Sequence, residues 1–246
     1  IWSMPPYEAG QMPFKFFIKF FQNHGLFKFK ERPQWYTVKN RSRTYVNKIL
    51  EKISGEYFKN YNINKVERKI NGVRVFYGDD NEFFDYDKVV FATHADQTIS
   101  IIKNPTDEEK NLLTKFNYKK NIALIHTDEK VMPLNKKAWS SWNSSINSSN
   151  LKESSITYWL NLLQNLNIRK NIFLTLNPFF QVDKDKIIKK IEFTHPYYNQ
   201  EALSFQKNLS NIQNKKNILF CGSYFGYGFH EDGIKSSIEM IKILDD

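Results

Sequence analysis

Cysteine is nearly absent from this chain, which holds only Cys221 among its 246 residues. A lone cysteine excludes a disulfide within the chain, and it excludes a zinc site built from several cysteines. Long hydrophobic runs are absent as well, because no stretch reaches the ~18 apolar residues that a membrane-spanning helix requires. The scarcity of cysteine favours a reducing compartment, and we expect the protein to be cytoplasmic.

Histidine is also scarce, and no two histidines stand at the HxxxH spacing of a metal-binding helix. We therefore expect no metal site. Hydrogen-bonded structural histidines are the favoured interpretation, with a proton-transfer role for one or two of them as the alternative. The five positions are His24, His94, His126, His195 and His230.

Arginine is rare for so basic a chain. The net charge is +10, yet only six of the 36 cationic side chains are arginine, whereas asparagine occurs 26 times. Surfaces that bind phosphate favour arginine, because its guanidinium group forms paired hydrogen bonds. The basic residues are also scattered rather than clustered. We attribute the charge to bulk composition and expect no nucleic-acid partner.

Phenylalanine is concentrated near the N-terminus, where five residues between 14 and 21 follow a helical spacing. The pattern predicts a helix that ends at Gly25. Two lysines lie among the phenylalanines, which leaves two interpretations open: a core helix, which we favour, or a helix in peripheral contact with a membrane surface. The chain begins with Ile1 rather than methionine, and we expect it to be incomplete at this end.

Two further helices are indicated by spacing and by end signals. Residues 42–54 predict a helix that is capped by Ser42 and closed by Gly55, with apolar residues at every third or fourth position. Thr106 and Glu109 form the sequence pattern of a capping box, in which each residue satisfies a backbone amide of the other. A helix is therefore predicted to start after Thr106.

Strands dominate the middle of the chain. Three short strands are predicted between 61 and 93, with a hairpin turn at Asn71-Gly72 and a second turn at 78–81. The continuous apolar run Val89–Ala92 is typical of a strand that is buried on both faces. The Ser/Asn-rich segment 140–155 predicts a loop by its composition. Further strands are predicted at 121–128, 157–163 and 171–178.

The C-terminal segment contains four of the nine glycines within twelve residues. They lie between a short apolar strand, 217–221, and an amphipathic helix. Glycine allows close approach of a ligand, and the first amides of a helix are unpaired at the positive end of its dipole. Such a turn suits a phosphate or a reduced, anionic flavin. Glu231 stands where the GxGxxG pattern requires its third glycine, so the pattern alone leaves ligand binding and simple packing open.

The segment ILFCGSYFGYGFHEDGIKSS (218–237) resembles the C-terminal flavin segment of the FAD-dependent amine oxidase superfamily. More closely, the chain is similar to the bacterial NAD/FAD-binding, amine-oxidase-like proteins of that superfamily. The resemblance implies an α/β, FAD/NAD(P)-binding-like fold of the flavin amine oxidase type with an antiparallel substrate sheet. Nearly the whole chain carries it, through IWSMPP, FFQNHGL, RPQWYTV, VVFATHADQTISII, NPTDEE, AWSSWN, TYWLNLLQNL, FLTLNP and FTHPYYNQEAL.

The resemblance implies contacts with FAD at several places. Gly222 and Ser223 would approach the ribityl and phosphate part of the cofactor. Backbone amides at Gly233 and Ile234 would face the pyrimidine edge of the flavin, and Ile63 would contact adenine through its backbone. The other implied contacts are Ala92 and Thr93, at the end of the buried strand, and Glu231 and Asp232, at the start of the last helix.

The resemblance also divides the chain into segments. Residues 1–35 would form a substrate-side helical segment, 36–100 and 208–246 would belong to the FAD domain, and 101–207 would form the substrate domain. The N-terminal βαβ unit of the family, which carries GxGxxG, has no counterpart in this sequence. We therefore expect the pyrophosphate contacts to be missing and this fragment alone to be inactive. The turn Asn40-Arg41-Ser42 also lacks two glycines of the family pattern.

The function implied is hydride transfer from an organic substrate, either apolar or an amine, to FAD. Tyr158, Trp159 and Tyr227 would line the substrate pocket. Catalytic residues stay unassigned, because Asn121 falls where many amine oxidases have a lysine and Lys120 is one position away. An acyl-chain or polyene desaturase-type flavoenzyme is the alternative. A basic protein that binds a membrane surface or nucleic acid is the alternative from another class.

Overall fold

The computed structural model describes residues 9–34, 36–78 and 82–245. The N-terminal residues, where the chain is expected to be incomplete, lie outside the described residues, as do residues 79–81 of the predicted second turn. The helices are α1 (Phe14–Asn23), α2 (Ser42–Leu50), α3 (Ala95–Ile101), α4 (Asp107–Leu113), α5 (Leu160–Leu163), α6 (Gln200–Gln206) and α7 (His230–Asp245). In this part of the chain no helix has both the length and the hydrophobicity needed to cross a bilayer.

The strands form three sheets, with the orders β1-β2-β3, β10-β4 and β6-β7-β8-β5-β9. The strands are β1 (Ile63–Arg68), β2 (Val73–Tyr77), β3 (Glu82–Tyr86), β4 (Val89–Phe91), β5 (Asn117–His126), β6 (Trp142–Ile146), β7 (Ser154–Trp159), β8 (Phe173–Leu176), β9 (Ile187–Tyr197) and β10 (Ile218–Phe220).

The chain divides into two compact units, and each combines segments that are distant in sequence. The first unit contains residues up to Phe17 together with Tyr118–His195, and the second contains Ile18–Asn117 together with Pro196–Asp246. The division into cofactor and substrate segments, with boundaries after 35, 100 and 207, stays a prediction.

The first unit is built on the five-stranded sheet, in which β6/β7, β7/β8 and β8/β5 pair antiparallel. Its interior contains a chain of buried polar groups. The hydroxyls of Thr157 and Thr175 are 2.9 Å apart, and Nε2 of His126 lies 2.7 Å from the Thr175 hydroxyl. The amide of Asp128 donates to Nδ1 of His126 at 3.1 Å. Since Nδ1 accepts, the fully buried ring of His126 is neutral and carries its proton on Nε2.

The second unit contains the antiparallel sheet β1-β2-β3 and the parallel pair β4/β10. All three residues of β10 are fully buried, and Val66 of β1 and Val73 of β2 are 1% exposed. A buried ion pair joins Arg68 to Glu109, whose other carboxylate oxygen accepts the amide of Thr106 at 2.8 Å. The predicted capping box at the start of α4 is therefore confirmed, and its carboxylate also holds β1.

Two other local predictions are confirmed. Helix α1 is followed by Gly25 in the left-handed region, with φ +63°. The turn between β1 and β2 contains Gly72 with φ +100°, and the amide of Lys69 donates to the Gly72 carbonyl at 3.0 Å. Both glycines adopt a conformation that costs other residues energy.

The ends of α2 differ from the prediction. The N-cap residue is Arg41, with φ 71°, and its side chain makes no capping hydrogen bond, whereas Ser42 already lies within the first turn. The helix ends at Leu50, well before Gly55. None of its residues is buried. The helix therefore lacks the packing that would extend it, because most of the stability of a short helix comes from such packing.

The strand predicted just before residue 93 differs from the structure in two respects. The third strand predicted before residue 93 is two strands, because β3 pairs with β2 whereas β4 pairs with β10. Val90 is 41% exposed, although burial on both faces was predicted, and only Phe91 of β4 is buried. Among the described residues β4 pairs with β10 alone, so its other edge is not covered by a strand.

The segment 140–155, predicted as a loop, contains β6 and the start of β7. The polar composition of this segment does not indicate strands, and the register of β6 is set by its pairing with β7. Trp142 lies opposite Tyr158, with ring centroids 5.8 Å apart. Cross-strand pairs of this kind stabilise a strand whose own composition is polar. The run predicted as a strand over 157–163 ends at Trp159 and continues as α5.

The buried ion pair of the second unit predicts a large mutational effect. Arg68→Met leaves the Glu109 carboxylate, which is fully buried, without its cation. We expect the free energy of unfolding to fall by about 3–5 kcal/mol, as measured by urea denaturation. Lys103→Met is the control, because it removes the cation of an exposed pair with Glu67 at 2.7 Å. Equal losses in the two variants would contradict the interpretation.

The neutral ring of His126 predicts a pH dependence of stability. Burial lowers the pKa of His126 below its usual 6.5, against a smaller opposing effect of Asp128. The stability gained from the neutral ring is complete above pH 6.5 and is lost as the pH falls toward the folded-state pKa. Urea denaturation between about pH 7.5 and pH 5 should show a smaller decrease for His126→Gln than for the wild type. His94→Gln controls for removal of a histidine, and parallel curves for the wild type and His126→Gln would refute the prediction.

Candidate functional site

The parallel pairing of β4 and β10 places the carboxyl ends of both strands at one edge. Thr93 follows β4, and Gly222 follows β10. The amide of Cys221 continues the pairing by donating to the Phe91 carbonyl at 2.9 Å. A Cβ atom on Gly222 would lie 3.9 Å from the carbonyl oxygen of Thr93. Ligands of open α/β sheets bind at this edge, so two of the predicted cofactor contacts meet at a suitable place.

An open groove of about 340 Å³ lies beside β4. The predicted contacts Ile63, Ala92 and Thr93 all line it, although they come from strands that belong to different sheets. Val66 and Val90 supply apolar surface between them. The groove is therefore mainly apolar, and Thr93 is one of its lining residues, with its hydroxyl 2.7 Å from the hydroxyl of Thr98. Such a surface suits the flat face of a ring that hydrogen-bonds through its edge.

Gly222 is held against the last helix by Ser236. The glycine has φ +150°, and a Cβ atom there would lie 2.8 Å from the ring of Tyr224. Its amide donates to the Ser236 hydroxyl at 2.9 Å, and that hydroxyl donates to the carbonyl of Gly233 at 2.7 Å. Ser236 thus links the turn to α7. This link was not predicted from the sequence, because Ser236 lies 14 positions after Gly222.

The first turn of α7 uses several of its own hydrogen-bond donors. The amide of Gly233 donates to the Phe229 carbonyl at 3.2 Å, and the amide of Phe229 donates to the Asp232 carboxylate at 3.0 Å. The same carboxylate fills the space beside Gly226. Glu231 is exposed, as is the side chain of Ile234. Two carboxylates therefore lie at the positive end of this helix and oppose its attraction for an anion.

Aromatic rings of the second unit cluster around Phe20, which is 4% exposed. The ring of His24 stacks on it with a centroid distance of 4.0 Å, and the ring of Phe229 stacks at 5.5 Å. Tyr227, a predicted pocket residue, contacts Phe20 edge-on at 5.8 Å. Burial, followed by the charge of Asp232, raises the pKa of Tyr227, so its hydroxyl stays protonated. The cluster explains the phenylalanine-rich pattern of α1 as packing at Phe20.

The other predicted pocket residues, Tyr158 and Trp159, lie at the end of β7 in the first unit. The indole N–H of Trp159 donates to Asn171 at 3.0 Å, and Asn171 donates to Glu129 at 2.7 Å. That second hydrogen bond lowers the pKa of Glu129. Trp139 packs edge-on against Trp159 at 5.3 Å. The orientation of Trp159 is thus set by neighbours within its own unit.

Two of the histidines, His94 and His230, lie at the starts of helices in the second unit. Nδ1 of His230 lies 2.6 Å from the hydroxyl of Tyr45, which connects α2 with the start of α7. His94 is the N-cap residue of α3, and its carbonyl accepts from the amide and the hydroxyl of Thr98. In the described ranges no three side chains of His, Cys, Asp or Glu come together as a metal site would require. Cys221 is buried and free.

No protein-family model matches the sequence, and no curated protein matches it significantly. Solved structures do match. A CLA-producing fatty acid isomerase from P. acnes has a TM-score of 0.57 and 12% identity, over 82% of this chain and 51% of its own. Putrescine oxidase bound to putrescine has a TM-score of 0.57 and 9% identity, over 84% and 53%. A candidate protoporphyrinogen oxidase from Exiguobacterium sp. 255-15 has a TM-score of 0.57 and 11% identity, over 94% and 58%.

Identity this low shows the fold alone. The chain has a mixed α/β fold that it shares with these three proteins, and the α/β prediction is confirmed at that level. The chain spans about half the length of the structures that it matches.

The link through Ser236 predicts a position-specific loss of stability. Ser236→Ala removes a buried hydroxyl and leaves the partly buried amide of Gly222 without its acceptor, which should cost about 1–3 kcal/mol in the free energy of unfolding. Ser237→Ala is the matched control, because the Ser237 hydroxyl only donates to the Gly233 carbonyl, at 2.9 Å, and satisfies no amide of the turn. Urea denaturation of both variants measures the difference. The assignment fails if the two serines prove equivalent.

Proposed function

We propose that the chain belongs to an FAD-dependent oxidoreductase of the amine oxidase type, which transfers a hydride from an organic substrate to flavin. The observation that carries the proposal is the meeting of Thr93 with Gly222 at the carboxyl edge of β4 and β10, beside a groove that Ile63 and Ala92 also line. These residues come from three separate parts of the sequence. The amine-oxidase resemblance predicted each of them as a cofactor contact.

The residues of this edge fit parts of FAD. The groove along β4 would take the adenosine end, with Ile63 and Thr93 offering backbone groups to its polar edge. Gly222, whose missing side chain allows the turn to close against the Tyr224 ring, would place Ser223 and the turn backbone near the ribityl chain. FAD would supply the hydride acceptor, whereas the chain would bind and orient the cofactor. The sequence contains no GxGxxG loop, so the pyrophosphate would need contacts from outside these residues.

The start of α7 limits how an anionic flavin would be stabilised. The amide of Gly233 already donates to the Phe229 carbonyl, and Ile234 is the fifth residue of α7, where a helical amide pairs with the carbonyl four residues before it. A flavin at this end would therefore have to approach amides earlier in the turn than these two predicted donors. Asp232 and Glu231 would repel an anion at this end. We propose that Glu231 and Asp232 shape the turn, as Asp232 does by accepting the Phe229 amide, rather than contact the cofactor's negative charge.

The substrate proposed is a small molecule that is apolar or an amine. Trp159, Tyr158 and Tyr227 remain the proposed pocket residues, and their aromatic faces suit an aliphatic chain or a cation equally well. An acyl-chain or polyene desaturase-type reaction is therefore the alternative within the same flavin chemistry. We propose a cytoplasmic enzyme without a nucleic-acid partner.

A second candidate function, binding to a membrane surface, is favoured by one observation. Phe14 is 73% exposed and Phe29 is 95% exposed, and lysines stand close to both in the sequence. Exposed phenylalanine next to lysine is typical of peripheral membrane contact. The two functions are compatible, because an enzyme that acts on apolar molecules gains from meeting them at a membrane.

The cofactor proposal predicts flavin in the protein purified as the complete gene product. We expect a yellow protein with the visible absorbance of bound FAD. Ala92→Phe, which places a ring in the groove, should weaken FAD binding by at least about tenfold, or ~1.4 kcal/mol, in fluorescence titrations of the apoprotein. Ala138→Phe is the matched control, since Ala138 is also exposed and lies in the first unit.

The outcomes separate the candidate functions. A colourless gene product that binds neither FAD nor reduced FAD, but pellets with anionic lipid vesicles, would replace the oxidoreductase with the membrane-binding protein. If Ala92→Phe and Ala138→Phe bind FAD with equal affinity, the protein would still be a flavoenzyme, but the groove along β4 would not be its adenosine site.

A further inference from the structure

A chain of side-chain amides crosses the sheet of the first unit, beginning at the end of β8. Asn177, directly after β8, has φ +48°. Its backbone amide donates to the Ile122 carbonyl at 2.8 Å, and the amide of Ile122 donates to Oδ1 of Asn177 at 2.9 Å. The Asn177 side chain therefore takes the place of a backbone carbonyl in the pairing with β5. Because a backbone N–H is only a donor, the group of Asn177 that faces Ile122 must be its oxygen.

This orientation propagates to the next amide. With its oxygen facing Ile122, Asn177 directs its NH₂ group to Oδ1 of Asn121 at 2.6 Å. Asn121 must then present its own NH₂ group on the other side, where it donates to the Lys119 carbonyl at 3.1 Å and lies 3.0 Å from Nδ1 of His195. Asn121 is 5% exposed, so water has little access to reverse the arrangement.

The chain ends on one particular nitrogen of His195. An NH₂ group that points at Nδ1 requires a lone pair there, because two facing donors would repel each other. The ring is then neutral, and its single N–H lies on Nε2. We propose that Asn177 and Asn121 are positioning residues that hold His195 as a neutral imidazole with its proton on Nε2.

The consequence is chemical. In this form His195 offers a hydrogen-bond donor at Nε2 and is no proton acceptor there, so it is excluded as a general base as long as the amide chain is intact. A ligand group that contacts Nε2 must itself be an acceptor, such as a carbonyl or carboxylate oxygen. His126 has the same tautomer in the buried interior of the unit, where its Nε2 donates to the Thr175 hydroxyl. The inference is independent of the proposed cofactor.

Nuclear magnetic resonance tests the inference directly. In the ¹⁵N-labelled chain at neutral pH, long-range ¹H–¹⁵N correlations distinguish the protonated ring nitrogen from the bare one, and His195→Gln identifies the signals. We expect wild-type His195 to show a bare Nδ1 and a protonated Nε2. Asn177→Asp retains the acceptor for Ile122 but cannot donate to Asn121. The aspartate then favours reversal of the Asn121 amide, at the cost of its hydrogen bond to the Lys119 carbonyl, so the fraction of His195 protonated at Nδ1 should rise.

Two further variants make the result decisive. Asn121→Asp presents an oxygen to His195 directly, so it should also protonate Nδ1, even if Asn177→Asp fails to fold. Asn165→Asp is the matched control, because Asn165 likewise has φ +48° in the first unit but lies outside the amide chain, and it should leave the tautomer unchanged. A merely structural role would lower stability without moving the proton. A protonated Nδ1 in the wild type, or an unchanged tautomer in both Asn177→Asp and Asn121→Asp, would overturn the proposal.

Discussion

The parallel pairing of β4 with β10 is the constraint on which the second unit depends. Each strand has three residues, and the register sets Val89 beside Ile218 and Phe91 beside Phe220. Parallel strands cannot be joined by a short turn, so the pairing must bring together segments that are far apart in the chain. It is this pairing that carries Thr93 and Gly222 to one edge. Without it, the turn that begins at Gly222 would have no fixed position next to Thr93.

The candidate site shows how a protein turn competes with a ligand for its own polar groups. The amides near the start of α7 are attractive to an anion, but the turn satisfies some of them internally through Phe229 and Asp232. Ser236 adds a further internal link at Gly222. Buried donors need partners whether or not a ligand is bound. The turn is thus stable in itself, and any ligand must bind to the groups that remain.

Several features were readable from the sequence because their signals are local. The strand, glycine turn and helix at the C-terminus were predicted, as were the capping box at Thr106 and the turn at Gly72. Each depends on residues within a few positions of one another. The cofactor contacts were named from a resemblance, and the structure brings Ile63, Ala92 and Thr93 to one groove. That groove combines strands of different sheets, which no local pattern specifies.

The features that sequence reasoning missed depend on partners distant in sequence. The hairpin of β6 and β7 is polar in composition, and its strands are defined by facing residues such as Trp142 and Tyr158. Val90 belongs to an apolar run for which full burial was predicted, but the exposure of its side chain depends on which elements pack beside β4. The amide chain through Asn121 and Asn177 joins three strands, and asparagine is too common in this sequence to mark it.

The use of the C-terminal segment to complete the second unit has a consequence for biosynthesis. The residues that pair with β4 leave the ribosome more than a hundred positions after it, so β4 lacks this partner until the nascent chain has passed Phe220. Contacts between such distant segments form late and slow the search for the native state. An apolar segment that stays unpaired during this time is prone to aggregation. Folding of this unit can therefore be completed only after β10 has been synthesised.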